Sequence, residues 1–431
     1  MTNGKINVEH DINIHLENKR VSRLFFVFLM MMYSFVYMTK NCFSGALADI
    51  VTEGVMTKSQ TGLIIALFYL VYTPLQIFGG IVADKYSPEL MVKIGLIGGA
   101  VANAVIFFNH NYYVMLVAWT FNAVIQFALW PSTYKIISSQ LCRSDRTYML
   151  FFISLAASVG LLMTYVVAAI LPSWEYNFAF SGVVLFLLAV AMHFYDRRIS
   201  KHMKPDYDQT AEKGKEGVCK YSGSTFAMLW KSGFILLLIA VFVRTVVGQG
   251  IKTLSPIMLV ESFDISPSVG NLINTIIIVC GIGGTLLVKL VLYPRFIKNE
   301  VVGVIIMFGI ATAFAVLLLF VPNLISTVLM LAVMAVVTTA PSLFISYFNT
   351  NFIKYGKNGT AAGISNAASS FGIVVCSYVI LKISERYSWQ TVKIIWLVMM
   401  LVALLALVIV LPMSNRFKKQ GELDLSNKRQ K

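Results

Sequence analysis

Two cations stand inside apolar sequence with no acid beside them. Lys40 lies within residues 24–47, LFFVFLMMMYSFVYMTKNCFSGAL. A helix rising ~1.5 Å per residue carries Lys40 about 24 Å past the start of that stretch. That is beyond the midplane of a hydrocarbon layer about 30 Å thick. A charge there costs at least ~2.5–3.5 kcal/mol, so it ordinarily faces an aqueous cavity or a partner. No Asp or Glu lies between Leu24 and Lys40. Two readings are open: an anion contact, or a lysine whose ammonium snorkels to the interface. Arg244 repeats the pattern between Lys231 and Lys252. It is ~20 Å of helix past the former and has no carboxylate on its segment. It either meets an anion or bonds backbone carbonyls. Tyr37, Tyr69, Tyr72 and Gln76 are polar groups able to line the same space, although packing accounts for each tyrosine taken singly.

Such charges are informative only if the chain is a membrane protein, and its composition says that it is. Of 431 residues, 58% are hydrophobic and 13% charged, against ~25% charged in soluble domains. The net charge of +15 does not point to nucleic acid, because the basic residues sit mostly in short loops between apolar runs. The five cysteines, Cys42, Cys142, Cys219, Cys280 and Cys376, show no paired spacing. They support neither a metal site nor a disulfide framework. No cofactor is expected. The first apolar stretch is too long for a signal peptide and reads as a retained helix.

Twelve apolar segments of spanning length are expected near 24–47, 60–83, 90–109, 112–138, 147–171, 175–195, 227–253, 267–292, 300–321, 323–349, 360–383 and 389–412. The fold class expected is therefore an all-α membrane protein of twelve transmembrane helices in two six-helix bundles, residues 24–195 and 227–412. A basic linker, 196–226, separates them, and polar tails occupy 1–23 and 413–431. The linker holds Arg197, Arg198, Lys201 and Lys204, and loops on the same side add Lys85, Arg143, Arg146, Arg295 and Lys298. The opposite loops carry Asp49, Glu53, Glu175, Glu261 and Asp264. This asymmetry places both termini in the cytoplasm of a multi-pass cell-membrane protein, with lipid as its surroundings.

Motifs then narrow the class. Gly79-Gly80-Ile81-Val82-Ala83-Asp84-Lys85 resembles the G-x-x-x-D-[RK] loop of the major facilitator superfamily. Gly80 would let a neighbouring helix approach. Asp84 could accept from a facing helix N-terminus and act, with Lys85, as a gating latch. Asp84-Lys85-Tyr86-Ser87-Pro88 is similar to the D-R-x-N-P loop of the organophosphate:phosphate antiporters. Asn122, Gln126, Trp130 and Pro131 follow that family's N-x-x-x-Q-G-x-x-W-P, with Phe127 at the expected glycine. The i, i+4 spacing puts the first three on one face. Gly284-Thr285-Leu286-Leu287, Gly359-Thr360-Ala361-Ala362-Gly363 and Ser255-Pro256 also fit, so the resemblance touches both halves.

At the substrate site the resemblance departs from its pattern. The family's first-helix arginine falls on Lys40, in Tyr37-Met38-Thr39-Lys40-Asn41, and its seventh-helix arginine on Gly248, one turn after Arg244. A second-helix lysine falls on Gln76 and a fifth-helix histidine on Ala157. One cation per half remains. Lysine lacks the planar fork with which arginine grips an oxyanion. What the resemblance implies is a monomeric carrier of a small organic anion, most readily a phosphorylated one, working by alternating access and anion exchange. The substrate contacts would be Lys40, Arg244, Tyr37, Asn41, Tyr72, Gln76, Gln126 and Gly248. The chain would be no enzyme. Alternatives are a symporter of sugar acids or other carboxylates, a multidrug exporter, and a transporter-like sensor. A drug exporter commonly holds cations with acids, and this interior has the opposite sign. All Asp and Glu lie at segment ends, loops or tails, which removes the usual proton relay and favours exchange.

Overall fold

A computed structural model describes residues 14–16, 18–142, 145–199, 203–205, 224–292, 295, 299–355 and 357–429. Most of the N-terminal tail and of the 196–226 linker lies outside the described residues. The flanks of these segments pair as two three-residue antiparallel strands, β1 (Ile14–Leu16) and β2 (Met203–Pro205), with Ile14 opposite Pro205.

Everything else that is regular is helical. The first six spans are α1 (Lys19–Lys40, resumed as Cys42–Thr52), α2 (Lys58–Lys85), α3 (Pro88–Phe108), α4 (Tyr112–Gln126, resumed as Leu129–Lys135), α5 (Arg146–Ile170) and α6 (Glu175–Ile199). The second six are α7 (Phe234–Thr253, resumed as Ser255–Phe263), α8 (Pro267–Leu287), α9 (Glu300–Phe320), α10 (Leu324–Thr339, resumed as Pro341–Thr350), α11 (Asn358–Val374, continued to Arg386) and α12 (Trp389–Arg429). Ten of these are long and apolar enough to cross a membrane, and α5 holds a shorter apolar helix, Leu155–Ile170. With α2, 28 residues long, the count is twelve.

The breaks have a sequence cause. Proline has no N–H and its ring clashes with the carbonyl four residues back. Pro131, Pro256 and Pro341 each stand just past the interruption of α4, α7 or α10. In α1 no proline is present. Asn41 takes the cap position, its N–H donating to the Met38 carbonyl at 3.0 Å. Its own side-chain amide then satisfies the Tyr37 carbonyl at 2.7 Å. The first helix of every consecutive triplet is thus the interrupted one.

Two expected segments differ in extent. The segment at 227–253 is not continuous. A short helix, Thr225–Lys231, ends before Gly233, whose φ of 79° only glycine adopts readily, and α7 starts afresh. At the other end α12 does not stop at residue 412 but runs through Pro412 to Arg429. Its extension is held by Lys418 on Glu300 at 2.6 Å and by Asn299 on Asn415 at 2.9 Å. Phe417 packs against Phe352 and Tyr355.

Within the first six helices α1 packs on α5 and α3 on α6; within the second, α8 packs on α10 and α9 on α12. Between the two sets α5 meets α8 and α2 meets α11. The end of the molecule remote from the chain termini carries polar contacts between the sets. Lys58 of α2 pairs with Glu261 of α7 at 2.9 Å. Glu385 of α11 accepts from the Ser59 N–H at 2.7 Å. Asn271 of α8 donates to the Gly45 carbonyl of α1 at 3.2 Å. Leu47 and Ala48 are buried in one cluster with α7 residues. The distal end is therefore closed.

Candidate functional site

Lys40 closes the first segment of α1 at mid-depth and is 6% exposed. It neither snorkels nor meets an acid. Its Nζ donates to the Tyr72 hydroxyl of α2 at 2.6 Å and lies 4.0 Å from that ring's centroid. Gln76, one turn on, donates to the same oxygen at 2.8 Å. A phenol oxygen that accepts twice has its O–H left to donate to a third group. Among the described residues no acceptor of that proton is present. The Lys40–Tyr72–Gln76 cluster is thus a donor array built from two helices. Phe68 stacks on Tyr72 at 5.5 Å and tilts against Trp119, which fixes the ring.

Tyr37 lies one turn before Lys40 and packs with Leu161 and Tyr165 of α5 and Ile278 of α8. Tyr33 stands 6.5 Å from it and 4.7 Å from Trp130 of α4. α5 comes this close to α1 because residue 160 is glycine. A Cβ there would sit 2.7 Å from the Tyr37 Cβ and 3.0 Å from the Met38 nitrogen.

Three expected contacts are placed elsewhere. Asn41 adjoins Lys40, but its amide serves the Tyr37 carbonyl. Gln126 is fully buried and donates to Asn122 at 2.8 Å. It faces α3, where a Cβ on Gly99 would collide with its amide and with Leu185 of α6. Gly248 packs on Thr338 of α10, whose Oγ1 would lie 2.9 Å from an added Cβ. In the loop motif, Lys85 is exposed with its ammonium 5.8 Å over the Tyr86 ring. The positions of Gly80 and Asp84 fall on α2, but their side chains lie outside the described residues. The neighbouring Gly79 makes the close approach, to the Phe127 carbonyl at the break in α4. Glu89 of α3 accepts from Gln140 and, at 2.6 Å, from Ser87.

Arg244 lies on α7 with its Nε buried and without a hydrogen-bond partner. Lys252 stands two turns further along the same face and within electrostatic reach of it. Lys252 was not singled out as a contact from sequence, although its i+8 spacing from Arg244 is a readable signal. It lines a cavity of about 90 Å³ between α5, α7, α8 and α10, with Leu155, Ser158, Ile282, Thr285 and Thr339. The described ion pairs are Arg23–Asp145, Lys58–Glu261, Lys93–Asp196 and Lys418–Glu300. None uses Lys40, Arg244 or Lys252. Among the described residues no group of three or more His, Cys, Asp or Glu could hold a metal.

Twelve helices, interrupted in register and set around one buried and two half-buried cations, have the architecture of a membrane carrier. The sequence signature of the Major Facilitator Superfamily matches residues 29–358, and the chain belongs to that superfamily of transporters. It is no enzyme. The membrane sensor protein UhpC of Salmonella typhimurium is 28% identical over 161 residues, 37% of this chain and 36% of that protein. The chain thus aligns with only about a third of that relative's length. A probable hexose phosphate transport protein of Chlamydia trachomatis is 21% identical over 412 residues, covering 89% of each chain. Among solved structures, a bacterial homologue of the human lysosomal transporter Spinster superposes with a TM-score of 0.71 at 14% identity, covering 94% of this chain and 99% of that one.

Proposed function

We propose that the protein carries a small organic anion, most readily a phosphorylated metabolite, across a cell membrane by alternating access and anion exchange. The observation that carries this reading is positive charge inside the helix bundle with no acid partner among the described residues. Lys40 offers an ammonium through the Tyr72 and Gln76 array, Arg244, from the other half, offers a guanidinium whose Nε has no partner, and among the described residues no acid pairs with either. An anion bridging both would draw the two halves together and couple binding to closure. The relative named a hexose phosphate transport protein and the sugar phosphate exchanger of Xenopus laevis, 26% identical over 135 residues, support a phosphorylated cargo. A carboxylate symporter shares the charge logic but needs a coupling ion. The halves at 24–195 and 227–412, a monomeric unit and cytoplasmic termini belong to this proposal.

Purified protein in liposomes preloaded with phosphate or hexose phosphate tests it. Uptake of labelled hexose phosphate should require internal anion and should not alkalinise the outside in step with entry. Lys40→Ala and Arg244→Ala should each lose ~30-fold or more in affinity, the usual effect of removing one member of a buried hydrogen-bonded charge contact. Lys40→Arg should retain binding, because it restores a fork. Parent-like affinity in both alanine variants would refute the assignment. A second reading, a sensor that binds without moving its ligand, is favoured by the UhpC similarity. Binding without uptake would select it.

A further inference from the structure

We propose that Lys252 and its cavity form a second anionic-headgroup subsite, so that the preferred substrate carries two separated negative groups. This rests on the anion-carrier reading and deepens it. Lys40 directly precedes the break in α1, and Lys252 stands two residues before the break in α7. The two lysines therefore occupy nearly corresponding places in the two halves, closer in correspondence than Lys40 and Arg244.

The position of Lys252 is built. Pro256 cannot donate to the carbonyl four residues back, which is that of Lys252. Asn274 of α8 supplies the missing donor, its Nδ2 meeting that carbonyl at 2.8 Å. The proline and the asparagine together anchor the lysine's backbone against α8, beside the cavity that its side chain lines. The wall also offers hydroxyls. Thr339 Oγ1 is buried and has no hydrogen-bond partner, and Ser158 stands with it; the Thr285 hydroxyl donates instead to the Gly281 carbonyl at 2.7 Å. An ammonium among hydroxyl donors suits an oxyanion.

The cavity has a volume of about 90 Å³. Its polar lining, one ammonium with the Ser158 and Thr339 hydroxyls, suits a single anionic head. Leu161 and Ile278 line this cavity and also pack on Tyr37, one turn from Lys40. The second headgroup would therefore sit one side-chain layer from the first site. Three cations, Lys40 buried and Arg244 and Lys252 half-buried, without an acid partner among the described residues, match a ligand of more than one negative charge.

Glycerol 3-phosphate and 3-phosphoglycerate test this, since they differ only in whether the far carbon is an alcohol or a carboxylate. Their affinities would be measured by calorimetry on the full-length protein in nanodiscs. The parent should bind 3-phosphoglycerate roughly tenfold more tightly, and Lys252→Gln should bring that ratio close to one. Thr339→Val should reduce the ratio part way, and Lys252→Arg should preserve it. These two variants carry the test if Lys252→Gln does not fold. A parent ratio near one, or a ratio unchanged in Lys252→Gln and Thr339→Val, overturns the inference while leaving the anion-carrier reading in place. A parent that binds neither compound nor any other organic anion overturns both.

Discussion

Replacing Glu261 by alanine removes the carboxylate that ties α2 to α7 at the distal end. Its Oε2 accepts from Lys58 at 2.9 Å and from the Trp389 indole at 2.7 Å. Only the first bond crosses between the helix sets. The second holds the carboxylate in place for it. Lys58 also reaches the Ser384 carbonyl at 3.4 Å. An exposed ion pair would contribute ~0.2–1 kcal/mol. Here the Lys58 side chain is 11% exposed and that of Glu261 31%. A hydrogen bond to a charged group in such a setting is worth ~1.5–3 kcal/mol, and the low end is appropriate to the wetter partner. Loss of about 1.5 kcal/mol lowers the ratio of distal-closed to distal-open molecules roughly tenfold. An ensemble at about 99:1 would move to about 10:1. Spin labels at the exposed positions Thr52 and Ser268 would report this as a new, longer distance in the Glu261→Ala protein. Glu53→Ala serves as the control, because Glu53 accepts from Trp174 within the first six helices. A distance distribution identical to the parent's, or an equal shift in the control, would show that the seam does not set the equilibrium.

Asp84→Asn should slow transport several-fold at equal membrane abundance while leaving equilibrium affinity nearly unchanged, as expected of a latch broken and remade in each cycle. Normal turnover would remove the latch from the mechanism. Gly160→Val should lower the melting temperature of the purified protein, since overpacking costs ~1–3 kcal/mol and the added atoms would press on Tyr37 and Met38 of α1. An unchanged melting temperature would mean that α1 and α5 separate freely.

The number and class of the helices were legible in the chain because the bilayer imposes one length and one composition on every span. Three of the four helix breaks have an equally local cause, although the expected segments 112–138 and 323–349 ran straight through two of them. Pro131, Pro256 and Pro341 lack an N–H whatever surrounds them. The unpaired character of Lys40 and Arg244 was also visible, because no acid stood within reach along the sequence. What that sequence did not contain was direction. Asn122, Gln126 and Trp130 share a helical face by spacing, yet α4 turns Gln126 onto Gly99 of α3. Gly248 was matched to a family arginine, but it is filled from outside by Thr338. Lys252 resembled an ordinary flanking lysine until Asn274, 22 residues away, closed on its carbonyl. The distal seam joins Lys58 to Glu261 across 203 residues, and no local periodicity encodes such a pairing. Spacing along one helix determines which residues share a face. Only the packing of the other helices decides whether that face meets a cavity, a neighbour or lipid.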